Sequence, residues 1–134
     1  MKQALLIIDA QEALIEGNTE EQGVFEKEKL ITNINAVIEK ALQADASIIF
    51  IRDLDVANGT GPGFQIHRDI HVPPTSVVFD KAATNSFYGT PLLSYLKENQ
   101  IEHLVIMGCT TEHCIDTAVR TATINQLDVT LVGD

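Results

Sequence analysis

A chain of 134 residues has the length of one domain and can bury a sizeable core without disulfides or metals. Nine basic against nineteen acidic residues give a formal net charge of −10. This balance argues against nucleic acids and anionic membranes as partners, because both require basic patches on the protein. The apolar run at residues 4–8 is too short for a signal-peptide core or a membrane span. Two cysteines suggest no disulfide framework, so we expect a reducing, cytoplasmic location.

Strands alternate with helices along the chain. Short apolar runs predict five strands, at residues 4–8, 47–51, 76–79, 103–107 and 128–132. Apolar residues at helical spacing predict helices at about residues 26–43, 90–99 and 112–125. Thr90 and Pro91 suit the start of the second helix, as its N-cap and first helical residue. The alternation predicts one α/β domain over residues 1–134, with a doubly wound, mainly parallel sheet and helices on both faces.

Residues 54–75 form the longest irregular segment and contain three glycines and three prolines. Loops of this length in a compact domain are usually functional covers or mobile flaps. Within this segment, residues 59–63 resemble a phosphate-binding loop weakly. No clear helix follows them, and Pro62 lacks an N–H donor, so we interpret the segment as a turn-rich flap.

Reactive side chains gather where the predicted strands end. In open α/β sheets, sites form at the carboxyl ends of the strands, and these ends carry Asp9, Asp53, Lys81 and the turn at 108–114. A strand, a glycine turn and a helix start place Cys114 where free N–H groups and the helix dipole favour a thiolate. The same N–H groups can hold an oxyanion. Asp9 can accept the thiol proton, and Lys81 can stabilise the charges. Each of these residues, considered alone, also has a structural explanation. Cys114 would be a small buried residue, and Asp9 and Lys81 would be solvated residues at strand ends.

Three separated motifs resemble the isochorismatase-like cysteine hydrolases, a superfamily that includes nicotinamidases, N-carbamoylsarcosine amidases and streptothricin hydrolase-like enzymes. The motifs run from Leu5 to Gln11, from Phe79 through Lys81 and Asn85 to Thr90, and from Gly108 to Ile115. They occur in the family's order and spacing over nearly the whole chain. The resemblance implies the Rossmann-like isochorismatase fold.

The resemblance also implies roles for individual residues. Asp9 would be the general acid and base, Lys81 the orienting cation and Cys114 the nucleophile. A cis peptide is implied between Cys109 and Thr110, and the backbone N–H groups of Thr110 and Cys114 would form an oxyanion hole. The implied reaction is hydrolysis of a small amide-type C–N bond through a thioester at Cys114. Two alternatives stay open: an inactive small-molecule-binding protein, and a vinyl-ether hydrolase of the isochorismatase type, although isochorismatases have Asp where this chain has Cys114.

Several other residues are candidates for the substrate pocket. We expect Gln11, Phe87 and His113 to contact the substrate, and have no preference for Tyr88 or Phe64. His113 is next to Cys114 on a helix, so the two side chains diverge and do not form a catalytic pair. His103 lies at the wrong end of its strand, whereas His67 and His71 would bind substrate or anchor the long loop.

A metal centre is the remaining alternative to a site built on Cys114. Nicotinamidases carry an Asp-x-His motif after the second strand, where this chain has Asp53-Leu54-Asp55. A zinc or iron site needs three or four converging ligands, so we predict neither a metal nor another cofactor.

Assembly is also inferred from the resemblance, which implies a small-molecule substrate and a homodimer or larger homo-oligomer. The resemblance implies a fold that continues past residues 132–134 into a further helix and strand, which are not in this sequence, either because the chain is naturally short or because a C-terminal segment has been lost or left out. We therefore expect a partner chain to cover the sheet edge and the apolar surface left there.

Overall fold

A computed structural model of the chain describes residues 2–17, 26–108 and 112–132, with only the backbone for residues 112 and 113. Its single sheet contains five strands: β1 (Gln3–Ile8), β2 (Ser47–Asp53), β3 (Val77–Lys81), β4 (His103–Gly108) and β5 (Asp128–Leu131). Their order is β3-β2-β1-β4-β5, and every neighbouring pair is parallel. The predicted fold class is confirmed. The prediction for β3 ends two residues early, before Asp80 and Lys81.

Four α-helices connect these strands: α1 (Glu12–Glu16), α2 (Lys27–Gln43), α3 (Leu92–Glu98) and α4 (Glu112–Ile124). The last three lie where the apolar spacing predicts helices. The start of α3 was predicted one residue early: Pro91 is the N-cap and Leu92 the first helical residue, although the Thr90 hydroxyl does accept the Leu92 N–H at 3.3 Å. No described helix is both long enough and apolar enough to cross a bilayer.

The central strand β1 is buried on both faces of the sheet, which explains its uninterrupted apolar sequence. Alternate side chains point to opposite sides of a strand. Leu6 and Ile8 thus join the apolar layer under α3 and α4, whereas Leu5 and Ile7 join the layer under α1 and α2. The chain therefore has two cores, one on each face of a shared sheet.

The strand order creates a switch point beside β1. From β1 the chain moves outward to β2 and β3, and then returns to the other side of β1 as β4. Helices consequently cross on opposite faces, and a crevice opens beyond the carboxyl ends of β1 and β4. Asp9 follows the first of these ends, and Gly108 closes the second. This crevice is where the candidate site lies.

Gly108 is placed where β4 approaches β1 too closely for any side chain. It is paired in register with Ile8, and a Cβ at this position would overlap the backbone oxygen of Ile8. We expect Gly108→Ala to lower the free energy of unfolding by about 1–3 kcal/mol, the usual cost of overpacking. Chemical denaturation would measure the change.

Gly63→Ala is the matched control for this substitution. A Cβ at Gly63 would meet the methyl groups of Ala57 and Ala13 at 3.1 and 3.2 Å, so these neighbours need to move by only a few tenths of an ångström, whereas the Cβ at Gly108 overlaps a backbone oxygen. An equal loss of stability in both variants would contradict the explanation by close strand approach.

Candidate active site

The three side chains proposed for catalysis meet at the carboxyl edge of the sheet. The Lys81 Nζ lies 3.4 Å from the Asp9 Oδ2, and the Cys114 thiol shares a hydrogen bond with the Asp9 carboxyl group. The relative exposures of Lys81, Asp9 and Cys114 are 0%, 1% and 9%. Three remote segments therefore bring a thiol, a carboxyl group and an ammonium group into one buried cluster.

Each of the three residues is placed by the end of a different element. Asp9 follows β1, and its N–H donates to the Ile51 oxygen at 2.9 Å. Lys81 is the last residue of β3, and its Nζ donates to the Thr84 oxygen at 3.0 Å. Cys114 lies in the first turn of α4, where the helix dipole stabilises negative charge.

The backbone of Asp9 is left-handed, with a φ of 60°. Residues other than glycine seldom adopt this conformation, and such strain persists only where the surroundings enforce it. It turns the chain sharply as β1 ends. Aspartate tolerates this conformation better than most residues other than glycine, but no turn motif around Asp9 predicts it.

Burial raises the pKa of the Asp9 carboxyl group above its ordinary value. The nearby charge of Lys81 opposes this rise, the charge of Asp53 adds to it, and the hydrogen bonds from Cys114 and Lys81 again oppose it. Burial outweighs the opposing effects. A carboxylate with a raised pKa is a stronger base, which suits a group that must accept a proton from a thiol.

The raised pKa of Asp9 gives a prediction about stability and pH. The folded chain binds this proton more tightly than the unfolded chain, so the stabilisation is complete below the unfolded pKa of about 3.8. It is lost as the pH rises through the higher folded pKa. We expect Asp9→Asn to remove this decline from a plot of unfolding free energy against pH.

Urea denaturation between pH 4 and 8 would measure the decline in wild type and variant. Glu16→Gln is a suitable control, because the pKa of Glu16 is lowered, chiefly by its hydrogen bond to Lys27, and its effect has the opposite sign. Identical slopes in wild type and Asp9→Asn would contradict the prediction.

Gln11 is fully buried and bonded to the main chain. Its Nε2 donates to the oxygens of Phe64 and Asp53, at 2.8 and 3.2 Å, and its Oε1 accepts the Asp53 N–H at 2.9 Å. Both N–H donors of the amide are therefore used within the protein. The substrate contact expected of Gln11 stays a prediction.

The other residues expected at the pocket differ in their burial. Phe87 is 9% exposed and belongs to the same apolar cluster as Cys114, as a pocket wall would. Tyr88 is 72% exposed. Thr110 and the peptide bond joining it to Cys109 lie outside the described residues, as does the side chain of His113. The oxyanion hole, the cis peptide and the role of His113 therefore stay predictions.

The segment at 54–75 is fastened to the domain. It contains two short 3-10 turns, Val56–Gly59 and Pro62–Phe64. The Phe64 ring is buried beneath the Arg52 guanidinium, 4.4 Å from its centre. Turns are present as predicted, but the part around Phe64 is a packed cover and not a loose flap.

His67 anchors this cover, one of the two roles expected of it. Its ring is buried, with Nδ1 accepting the Asp69 N–H at 3.1 Å and Nε2 lying 3.3 Å from the Glu16 Oε2. His71 is exposed, and its N–H donates to the side chain of Asn35. Neither histidine faces Cys114 through a described contact.

Fold and site together define a class of protein. A doubly wound parallel sheet with a buried Cys–Asp–Lys cluster at its switch point is a scaffold for nucleophilic catalysis. The Isochorismatase domain family matches residues 3–134. The chain belongs to this family, that of the isochorismatase-like hydrolases.

Related sequences agree with this assignment. The isochorismatase family protein YrdC of Bacillus subtilis (strain 168) is 29% identical over 138 residues, covering 99% of this chain and 72% of the relative. A streptothricin hydrolase of Streptomyces noursei is 24% identical over 136 residues. The match takes in 98% of this chain but 53% of that protein, so this chain spans about half its length.

Solved structures share the fold. An isochorismatase family protein superposes with a TM-score of 0.85 at 30% identity, over 96% of this chain and 76% of that one. The N-carbamoylsarcosine amidase of Thermoplasma acidophilum gives 0.86 at 22% identity, over 98% and 82% of the two chains. The pyrazinamidase of Pyrococcus horikoshii, solved in complex with zinc, gives 0.84 at 24% identity, over 98% and 83%.

The zinc in that pyrazinamidase structure raises the question of a metal here. Among residues 2–17, 26–108 and 112–132, no three or more His, Cys, Asp or Glu side chains are grouped so that they could hold a metal ion. Asp53 instead accepts the Asp55 N–H, while His67 contacts Glu16. The described residues therefore do not fit a metal centre.

Proposed function

We propose that this chain is a cysteine hydrolase that cleaves a small amide-type C–N bond through a thioester at Cys114. The observation that carries the proposal is the buried contact of Asp9 with both the Cys114 thiol and the Lys81 ammonium. The amidase and the streptothricin hydrolase among the similar proteins support the reaction type.

The first half of the reaction forms the thioester. Asp9 accepts the proton of the Cys114 thiol, and the thiolate attacks the carbonyl carbon of the substrate. The oxyanion forms at the start of α4, where the backbone N–H of Cys114, joined by that of Thr110, would hold it. As the intermediate collapses, the C–N bond breaks and Asp9 returns its proton to the leaving amine.

The second half releases the acid. The Asp9 carboxylate takes a proton from a water molecule, and the resulting hydroxide attacks the thioester carbonyl. The C–S bond then breaks, and the proton on Asp9 passes to the sulfur, so the enzyme returns to its starting state. One water is consumed, and one amine and one carboxylic acid leave.

Lys81 has an electrostatic and a geometric task in this scheme. Its ammonium favours the ionised form of Asp9 and so opposes the rise in the Asp9 pKa that burial causes. Because its Nζ also donates to the Thr84 oxygen, the charge is fixed on one side of the carboxylate. The Asp9 carboxyl group is therefore held in one direction while it exchanges protons.

The remaining expectations belong to this proposal. The substrate is a small molecule, and the active assembly is a homodimer or larger homo-oligomer with the neighbouring chain completing the pocket. We propose a cytoplasmic location, since a catalytic thiol must remain reduced.

The test compares the two cysteines by their reaction with iodoacetamide at neutral pH, followed by peptide mapping. We expect Cys114 to react faster than Cys109, and its rate to fall by roughly tenfold or more in Asp9→Asn and Lys81→Met, as for loss of an activating partner. Equal, slow reaction of both thiols would contradict the proposal and favour a binding protein without turnover. Screening small amides, ureas and ring amides would then identify the substrate.

A further inference from the structure

We infer that Gln11 is a positioning residue. Its hydrogen bonds fix the main chain that follows Asp9, and this keeps the Asp9 carboxylate directed at Lys81 and Cys114. The inference rests on the proposed function, because it assigns a task to Gln11 within the same site. It differs from the sequence-based expectation that Gln11 contacts the substrate.

The chain leaving Asp9 is paired with the cover segment. The Glu12 N–H donates to the Gln65 oxygen at 2.8 Å, and the His67 N–H donates to the Ala10 oxygen at 3.0 Å. Between these two bonds, Gln11 and Ile66 form an antiparallel bridge. Two short stretches, 10–12 and 65–67, are thus bound edge to edge immediately after the catalytic aspartate.

The Gln11 side chain extends this pairing to a third segment. Its Nε2 reaches the oxygens of Phe64 and Asp53, and its Oε1 accepts the N–H of Asp53. The amide thus bonds both polar groups of the Asp53 backbone as a neighbouring strand would. One fully buried side chain thus links the residues that follow β1 to the last residue of β2 and to the turn at Phe64.

This junction bears directly on Asp9 because Asp9 is strained. Its left-handed backbone, with φ at 60°, needs restraint on both sides. The Asp9 N–H is held by the Ile51 oxygen on β2, and the restraint on the following residues comes through Ala10 and Gln11. If that second restraint is released, the turn can relax and the carboxylate swings away from Lys81 and Cys114.

Gln11 also fixes a charge that acts on Asp9. Lys81, Asp53 and Cys114 are the groups that act on the Asp9 carboxyl group besides burial. Of these, Asp53 is held through its backbone by the Gln11 amide. Loss of the amide therefore disturbs both the direction of the carboxylate and the spacing of the two acids.

The test measures the pH dependence of Cys114 alkylation by iodoacetamide in Gln11→Met, which keeps the length of the side chain and removes its hydrogen bonds. We expect the neutral-pH rate to fall roughly tenfold to a hundredfold, as for other small misplacements of catalytic groups, with a displaced midpoint. Gln11→Asn, which retains an amide on a shorter chain, is measured beside it and provides the test if Gln11→Met does not fold.

Asn35→Leu is the matched control. Asn35 also bonds the 54–75 segment through its amide, donating to the Asp69 oxygen at 3.0 Å and accepting the His71 N–H at 2.8 Å, but it does so far along the chain from Asp9. We expect this variant to keep the wild-type alkylation profile even if its melting temperature falls as much as that of the Gln11 variants.

The outcomes separate the two claims. If wild-type Cys114 is no more reactive than Cys109 and ignores Asp9→Asn, the proposed function fails. If the wild type passes but the folded Gln11 variants keep its profile, the positioning role is overturned. An equal shift in Asn35→Leu would also overturn it, because the effect would then be general loosening of the segment.

Discussion

Replacing Cys114 with alanine is expected to lower kcat for amide hydrolysis by about 10⁴-fold or more, the scale on which hydrolases lose activity without their nucleophile. The Asp9–Lys81 pair remains in this variant, but no atom is left to form the thioester. Steady-state kinetics on the best substrate of the amide panel would measure the loss. In wild type, acid quenching during turnover followed by mass spectrometry should reveal an acyl group on the peptide containing Cys114.

Asp116→Asn provides the control for this experiment. Asp116 lies two residues further along α4, is exposed, and forms a surface ion pair with Arg120 at 2.9 Å. Its substitution should leave kcat unchanged. Turnover by Cys114→Ala at the wild-type rate would rule out the covalent mechanism.

The second large effect concerns stability. Lys81→Met should lower the free energy of unfolding by about 3–5 kcal/mol, because breaking a buried ion pair leaves the Asp9 charge without its partner. The pair is among the most buried polar groups described, with both side chains no more than 1% exposed. Urea denaturation at neutral pH would give the value.

A double-mutant cycle shows whether the loss comes from the pair. In Asp9→Asn/Lys81→Met neither charge remains, so the double variant should lose less than the sum of the two single variants. The exposed Arg120–Asp116 pair supplies the control, and Arg120→Met should cost less than about 1 kcal/mol. Simple additivity at Asp9 and Lys81 would mean that the two groups do not interact across 3.4 Å.

The sheet could be predicted because its signals are local. Strand β1 is covered on both faces, so each residue from Ala4 to Ile8 is apolar and the run stands out. The long helix α2 buries Ile31, Ile34 and Ile38, and this spacing is visible in the sequence. The five residues of α1 are too few to repeat any period, and this helix was not predicted.

The convergence of Asp9, Lys81 and Cys114 could be predicted from topology, since the carboxyl ends of parallel strands share one edge. The contacts that hold these residues in place could not be predicted from the sequence. The left-handed turn at Asp9 depends on Ile51, 42 residues away, and the role of Gln11 depends on Phe64 and Asp53. Such long-range partners leave no periodic signal. For the same reason, the packed state of the 54–75 segment could not be distinguished from a flap.

Lys81 belongs to β3, one of the two edge strands of the described sheet, while the carboxylate that it contacts follows the central strand. The Lys81 side chain therefore passes the end of β2, which lies between the two strands, to place its ammonium next to Asp9. The register of β3 is secured by the cross-strand contact of Arg52 with both oxygens of Asp80, at 2.7 and 3.0 Å. If β3 frayed, the Lys81 ammonium would move away from Asp9 while the inner strands stayed paired. We therefore expect the contact between Lys81 and Asp9 to be lost more easily than the fold itself.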